Sequence, residues 1–198
     1  MPRRLWPATV IAAAALSLSG CAKKPAGTFA VLKTPMGAIR IRLYTDKAPK
    51  TCENFVGLAT GKKAWKDPKT AKMKNAPLYD GVEFHRVIPG FMIQTGDPSG
   101  EGHGGAGFEI ADEFAPGLKY DKAGLVGMAN WGPNTNSSQF FITLGPAHDL
   151  DGLHPIFGEV VDGLDVAKKI ATVPRNALES SNRPLKPVYL ESVVIEGR

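Results

Sequence analysis

Residues 84–98 read FHRVIPGFMIQTGDP. Two short apolar runs flank Pro89-Gly90, so the stretch reads as strand, turn and strand, with strands expected over Val82–Ile88 and Phe91–Thr95. A single cation, Arg86, falls in this oily setting with no Ser or Cys nucleophile in the segment. Any chemistry done here has to be chemistry that a fixed guanidinium can do.

Outward from this hairpin the same punctuation repeats. Short strands are expected at Thr28–Thr34, Ala38–Leu43, Leu125–Ala129, Gln139–Leu144, Ile156–Val161 and Val188–Glu196, separated by Gly, Pro or Asn clusters. Ile39, Ile41 and Leu43 alternate with Arg40 and Arg42, the period of a strand with one wet face. Two helices fit the remaining periodicity. One is opened by Pro49 and ended by Gly61, with Phe55, Val56, Leu58 and Ala59 on its apolar face, and the other spans Leu164 to Ala171. About eight strands and two helices without βαβ alternation predict a mainly β fold, an antiparallel barrel with helices over its openings.

The chain has 198 residues, 43% apolar, enough for one domain with a sizeable core. Its first 20 residues read differently: Arg3 and Arg4, an uncharged apolar run from Ala8 to Leu18, then Leu18-Ser19-Gly20-Cys21. The run is too short to cross a bilayer and has the form of a secretion signal. The Leu-Ser-Gly-Cys ending resembles the lipobox of bacterial lipoproteins, which implies cleavage before Cys21 and its acylation. The expected organisation is a signal peptide at 1–20, a lipid-anchored Cys21 with a short tether at 21–28, and one domain at 29–198. The expected location is the bacterial cell envelope, periplasmic or otherwise extracytoplasmic, with Ala22 compatible with the outer membrane. Cys52 is then the one other cysteine, so no intrachain disulfide can form.

The chain carries 24 Lys and Arg against 19 Asp and Glu, and loss of Arg3 and Arg4 with the signal leaves 22 against 19. Six lysines and one aspartate lie between Lys62 and Lys74, so the basic character belongs to one segment, read here as a solvated loop. Lacking a ladder of interleaved aromatics, it does not make a nucleic-acid groove. No nucleic-acid partner is expected, and a monomer is the simplest state.

Three other patterns point to little chemistry. Gly102 to Gly107 satisfies G-x-G-x-x-G, but no helical period follows, so it reads as a mobile Gly-rich loop and no nucleotide cofactor is expected. His148 and His154, with a glycine between them and no third His or Cys near in sequence, do not make a metal site. Ser137 and Ser138 lack the elbow of a Ser hydrolase.

What remains is a set of amides, aromatics and one Arg, suited to holding a peptide: Gln94 and Asn130 offer donors and acceptors, and Phe91, Met92 and Phe141 can line an apolar pocket. FHRVIPGFMIQTGDP, MANWGPNTNSSQFFIT and LDGLHPIFGEVVDG together resemble the cyclophilin family of peptidyl-prolyl cis/trans isomerases, over essentially the whole chain after Thr28. The resemblance implies an eight-stranded antiparallel cyclophilin-like β-barrel capped by two α-helices, acting on proline-containing polypeptides. It implies that Arg86 is catalytic, that Phe91, Met92, Phe141 and Leu150 wall the proline pocket, that Gln94, Ala129, Asn130 and Gln139 hold the substrate backbone, and that His154 stands at the pocket edge. No cofactor or metal is implied. A non-catalytic proline-binding chaperone or adaptor on the same fold is the alternative. One position departs: Asp149 stands where many members carry an aromatic, often Trp, which puts tight cyclosporin binding in doubt more than catalysis.

Overall fold

A strand that alternates charge and hydrocarbon can face water on one side and a core on the other. The computed structural model, which describes residues 27–177 and 181–197, builds its first hairpin on that rule. β1 (Phe29–Thr34) and β2 (Gly37–Leu43) pair antiparallel, with Ala30 opposite Ile41 and Leu32 opposite Ile39. Those four side chains are fully buried, while Arg42 reaches outward to Glu159 at 2.6 Å. The signal segment, Cys21 and most of the tether lie outside the described residues. Among the described residues no helix is long and apolar enough to cross a membrane.

After α1 (Pro49–Ala59) come β3 (Trp65–Lys66), β4 (Met73–Lys74), β5 (Val82–Glu83), β6 (Arg86–Ile88), β7 (Met92–Thr95), β8 (Leu125–Met128), β9 (Phe140–Thr143) and β10 (Ile156–Asp162). α2 (Leu164–Ala171), β11 (Tyr189–Leu190) and β12 (Ser192–Glu196) follow. The main sheet has eight strands in the order β12-β1-β2-β10-β8-β9-β7-β6, with antiparallel neighbours throughout. Its edges are brought together by a small ladder, since β5, just before β6, pairs with β11, just before β12. The sheet curls on itself as expected, mainly β with two helices.

That ladder explains two departures from the sequence reading. The expected strand at Val82–Ile88 breaks at Phe84-His85, and the expected strand at Val188–Glu196 breaks at Glu191. Each break is where the chain leaves the small ladder and joins the main sheet, a change of partner that local periodicity does not record.

The helices sit at opposite ends of β2. α1 follows its C-terminal end and buries Cys52, Phe55, Leu58 and Ala59, with the Phe55 ring 5.1 to 5.3 Å from those of Tyr79, Phe140 and Phe157. α2 lays Val166 against Gly37 at the other end. Ala48 cannot cap α1, and Glu113 does so from across the fold. Its carboxylate accepts the Thr51 N–H at 2.6 Å, the Thr51 hydroxyl at 2.7 Å and the Lys50 N–H at 3.2 Å.

The lysine-rich segment is more than a solvated loop. β3 and β4 form a hairpin whose Trp65 is buried and donates through Nε1 to the Ala76 carbonyl at 2.9 Å. Asp67 holds the turn, accepting from the Lys69 N–H at 2.8 Å and pairing with Lys74 at 2.6 Å, contacts that pull its carboxyl down to about 2. Lys63 donates to Asn54 Oδ1 at 2.7 Å and lies over the Phe108 ring. Lys62, Lys66, Lys69 and Lys72 stay exposed. With two-residue strands and one buried large apolar side chain, Trp65, against an exposed Met73, the hairpin has too little periodicity to be read from sequence.

Candidate active site

Antiparallel register places Arg86 opposite Gln94, Gln94 opposite Phe141, and Phe141 opposite Gly127, one row across β6, β7, β9 and β8. Strand alternation sends this row to the side away from the core. Phe140 and Ile142 point into the main core, while Phe141 joins Met92, Tyr120, Leu125 and Ile156 in a second apolar cluster. Gly127 is required at its place: a Cβ there would collide with the Tyr120 hydroxyl and lie 2.6 Å from Phe141 Cζ.

The row opens on a cleft of about 1000 Å³. All ten residues singled out from the sequence line it: Arg86, Phe91, Met92, Gln94, Ala129, Asn130, Gln139, Phe141, Leu150 and His154. They arrive from five separate stretches of chain, and the sheet brings them together.

Arg86 is half-buried and forms no ion pair among the described residues. Burial pulls its pKa down from the ordinary arginine value, yet a guanidinium keeps its charge in proteins. It donates through Nη1 to Gln94 Oε1 at 3.4 Å. With Oε1 so engaged, Gln94 Nε2 donates to Gln139 Oε1 at 2.8 Å, and Gln139 Nε2 donates to the carbonyls of Gly102 and Gly104 at 3.0 and 2.8 Å. The chain of donors fixes both amide orientations.

Beside the guanidinium lies hydrocarbon. Phe91 and Leu150 pack on the cluster holding Met92 and Phe141, and the Phe141 ring stands edge-on to His154 at 5.6 Å. His154 Nδ1 is 3.0 Å from the Met128 carbonyl, so Nδ1 carries the proton and Nε2 remains an acceptor. Burial lowers its pKa and favours the neutral ring. Asn130, expected to offer both donors and acceptors, has its donor already engaged within the fold. Its Nδ2 is engaged by the Leu153 carbonyl at 2.9 Å and Asn136 Oδ1 at 3.3 Å, which leaves the acceptor Oδ1 and the main chain as the groups it can offer to the cleft.

Several lining residues were not assigned to a peptide site from the sequence. Gly102, His103 and Gly104 form one wall, with the His103 ring 5.5 Å from that of the exposed Trp131. Arg183 joins the lining from the segment after α2, paired with Glu83 at 2.9 Å and donating to the Gly100 carbonyl. His85 is buried with neither ring nitrogen in a hydrogen bond. Burial lowers its pKa against the nearby Asp97 carboxylate, which favours charge. The adjacent Arg86 could have drawn attention to His85, but nothing local marks Arg183. No cluster of three or more His, Cys, Asp or Glu suited to a metal occurs among the described residues. His148 and His154 turn to different partners, Asp151 and Met128.

Residues 29–195 match the family described as cyclophilin type peptidyl-prolyl cis-trans isomerase/CLD. The chain is 52% identical over 172 residues to peptidyl-prolyl cis-trans isomerase B of Streptomyces anulatus, covering 86% of this chain and 97% of that protein. It is 48% identical over 166 residues to peptidyl-prolyl cis-trans isomerase A of Mycobacterium tuberculosis, covering 84% and 91%. Among solved structures, a cyclophilin type peptidyl-prolyl cis-trans isomerase of Cryptosporidium parvum superposes with a TM-score of 0.72 at 33% identity, covering 86% of this chain and 98% of that one.

Proposed function

The chain belongs to the cyclophilin family of peptidyl-prolyl cis-trans isomerases, and from that premise we propose that Arg86 carries its catalysis while Phe91, Met92, Phe141 and Leu150 grip the prolyl ring. The activity is rotation about X-Pro bonds in proline-containing peptides. No covalent bond breaks in that reaction, so neither a nucleophile nor a proton carrier is needed.

The barrier is resonance, roughly 18 to 20 kcal/mol for a peptide C–N bond. As the bond twists, the prolyl nitrogen becomes pyramidal and regains a lone pair. A guanidinium aimed at that nitrogen, or at the turning carbonyl oxygen, bonds the twisted state better than the planar one, and only such a difference lowers the barrier. A charged donor is worth more where water is excluded. Removing about 4 kcal/mol would accelerate rotation roughly a thousandfold.

The observation that supports this reading is the half-buried Arg86, without an ion pair among the described residues, held by Gln94 in the same row as Phe141. Gln94, Ala129, Asn130 and Gln139 would hold the substrate backbone, and His154 would bound the pocket. The test is the cis-to-trans rate of a proline test peptide with the wild-type chain and with Arg86→Ala. A fall of at least about a hundredfold in a folded variant supports it, and an undiminished rate refutes it.

The substrates proposed are polypeptides of the cell envelope, helped to fold by a domain tethered through a lipid on Cys21. The support is in residues 1–28: the charged start, the short apolar run, the Leu-Ser-Gly-Cys ending and a tether that spans at most about 25 Å. Ala22 suits the outer membrane in cells that have one. A Cys21→Ser chain should leave the membrane fraction and lose incorporated fatty acid; unchanged membrane association would refute the anchor.

A further inference from the structure

The glycine-rich wall of the cleft that Arg86 also lines is fastened to a single carboxylate. Asp97, 1% exposed, follows β7 after one intervening residue, and its Oδ2 accepts the N–H groups of Gly102 and Gly104 at 2.6 and 3.0 Å. Oδ1 accepts the Ser99 N–H at 2.8 Å, and the Ser99 hydroxyl lies 2.8 Å from both oxygens. The wall closes so tightly on the carboxylate that a Cβ at Gly104 would collide with Oδ1. A carboxylate taken this far from water is tolerated only where donors surround it. Burial alone would raise its pKa, but the N–H groups and the Ser99 hydroxyl outweigh it and hold Asp97 below the ordinary range.

The two residues whose N–H groups bind Asp97 also supply the carbonyls that hold Gln139. From Gln139 the contacts continue through Gln94 to Arg86. We propose that Asp97 is a positioning residue for Arg86: its carboxylate sets the Gly102–Gly104 carbonyls, these orient Gln139, and Gln139 through Gln94 aims the guanidinium. Asp97 does not touch the substrate. The glycine run, which satisfies a nucleotide fingerprint on paper, serves here as the link between a buried anion and a catalytic amide pair. This inference rests on the reading of Arg86 as the catalytic group.

The test is a double-mutant cycle on the full chain with a proline test peptide, comparing Asp97→Asn, Gln139→Ala and both together. A small misplacement of a catalytic group costs between ten- and a hundredfold, so kcat should fall by at least about tenfold in Asp97→Asn. KM should rise by less than kcat falls, because the apolar wall that grips the prolyl ring does not hang on this chain of contacts, although Gln94 and Gln139 also hold the substrate backbone. If Asp97 acts through Gln139, adding Asp97→Asn to Gln139→Ala should cost less than about twofold more. The Gln139 side-chain amide protons, both bonded in the wild type, should exchange faster with solvent in Asp97→Asn. Independent, multiplying losses in the cycle, an unchanged kcat, or a loss confined to KM would each overturn the proposal. Should Asp97→Asn fail to fold, Ser99→Ala, which removes one donor from the carboxylate, takes its place in the cycle with the same criteria. Arg86→Ala separates the two failures: if it keeps full kcat, the reading of Arg86 falls and the positioning role with it. If it is crippled while Asp97→Asn is not, only the positioning role falls.

Discussion

Arg86 and Phe141 lie two strands apart in one cross-strand row, with Gln94 between them. A charged donor and an apolar ring are thereby held on one surface at a spacing fixed by main-chain hydrogen bonds, not by loops. An X-Pro unit needs both at once, hydrocarbon for the ring and a donor for the twisting amide. The sheet supplies rigidity that a flexible guanidinium lacks, and rigid placement is what makes a preformed donor effective in the transition state.

Gly127, at the far end of that row, controls where Phe141 can stand. Since a Cβ would meet both the Tyr120 hydroxyl and the Phe141 ring, Gly127→Ala should push Phe141 into the cleft. Overpacking of this kind costs about 1–3 kcal/mol. The expected result is a lower melting temperature and a fall in kcat/KM of at least about tenfold, measured with a proline peptide. Wild-type values for both would show that the ring has room to move that the packing does not suggest.

Glu113 should matter for stability alone. It caps α1 through two N–H groups and the Thr51 hydroxyl, and loss of a helix cap costs about 0.5–2 kcal/mol. Glu113→Ala should lower the melting temperature by roughly 1 to 8 °C for a domain of this size, and Glu113→Gln, which keeps an acceptor, should lower it less. Peptide rates well below the transition should be unchanged. A melting temperature equal to wild type would mean that water replaces the carboxylate at no loss.

Much of this was legible beforehand. Ile39, Ile41 and Leu43 against Arg40 and Arg42 give β2 by alternation, and Pro49 and Gly61 bracket α1, because these signals are local. The ten cleft residues came from three long motifs. Asp97 was not legible, since in Thr-Gly-Asp-Pro it reads as turn chemistry, and its partners are the N–H groups of a glycine run that has no side chains to betray them. Arg183 was hidden for a different reason: its place in the cleft depends on β5 meeting β11, a long-range pairing of two residues each. The Asp67 and Trp65 contacts that order the lysine-rich hairpin are likewise tertiary.

The pH dependence of rate and of stability should separate. Arg86 does not titrate in the ordinary range, and burial pulls the pKa values of His85 and His154 below the usual histidine value of about 6.5, so the rate should be nearly flat from about pH 6 to 9. Stability should not be. Below about pH 6.5 the unfolded chain takes up protons that buried His85 and His154 refuse, so the fold loses stability as pH falls from there toward their folded pKa values, by at most about 1.4 kcal/mol per pH unit for each ring. Asp97, Arg183 and Arg86 are the charged neighbours acting on His85. Denaturant unfolding at pH 7.5 and 5.5 should show the loss, and His85→Gln should show less of it. An equal loss in both chains would assign the effect elsewhere, and a bell-shaped rate profile within pH 6 to 9 would implicate a titrating group in catalysis.

Asp149 tests how far the apolar wall extends. It is exposed in the short turn His148–Leu150, immediately before Leu150, which lines the cleft. A carboxylate at this rim would have to be desolvated against a large apolar ligand such as cyclosporin, at a cost that a small proline peptide escapes. Asp149→Trp replaces that penalty with a buried aromatic contact, so cyclosporin should bind at least about tenfold more tightly, which corresponds to about 1.4 kcal/mol. The variant's kcat/KM for a proline peptide should stay within about threefold, because Arg86, Gln94 and Phe141 stand on β-strands that the turn does not move. Direct titration by calorimetry reads the first quantity and the peptide assay the second. Unchanged cyclosporin affinity would place position 149 outside the ligand's reach, and the wall would then end at Leu150.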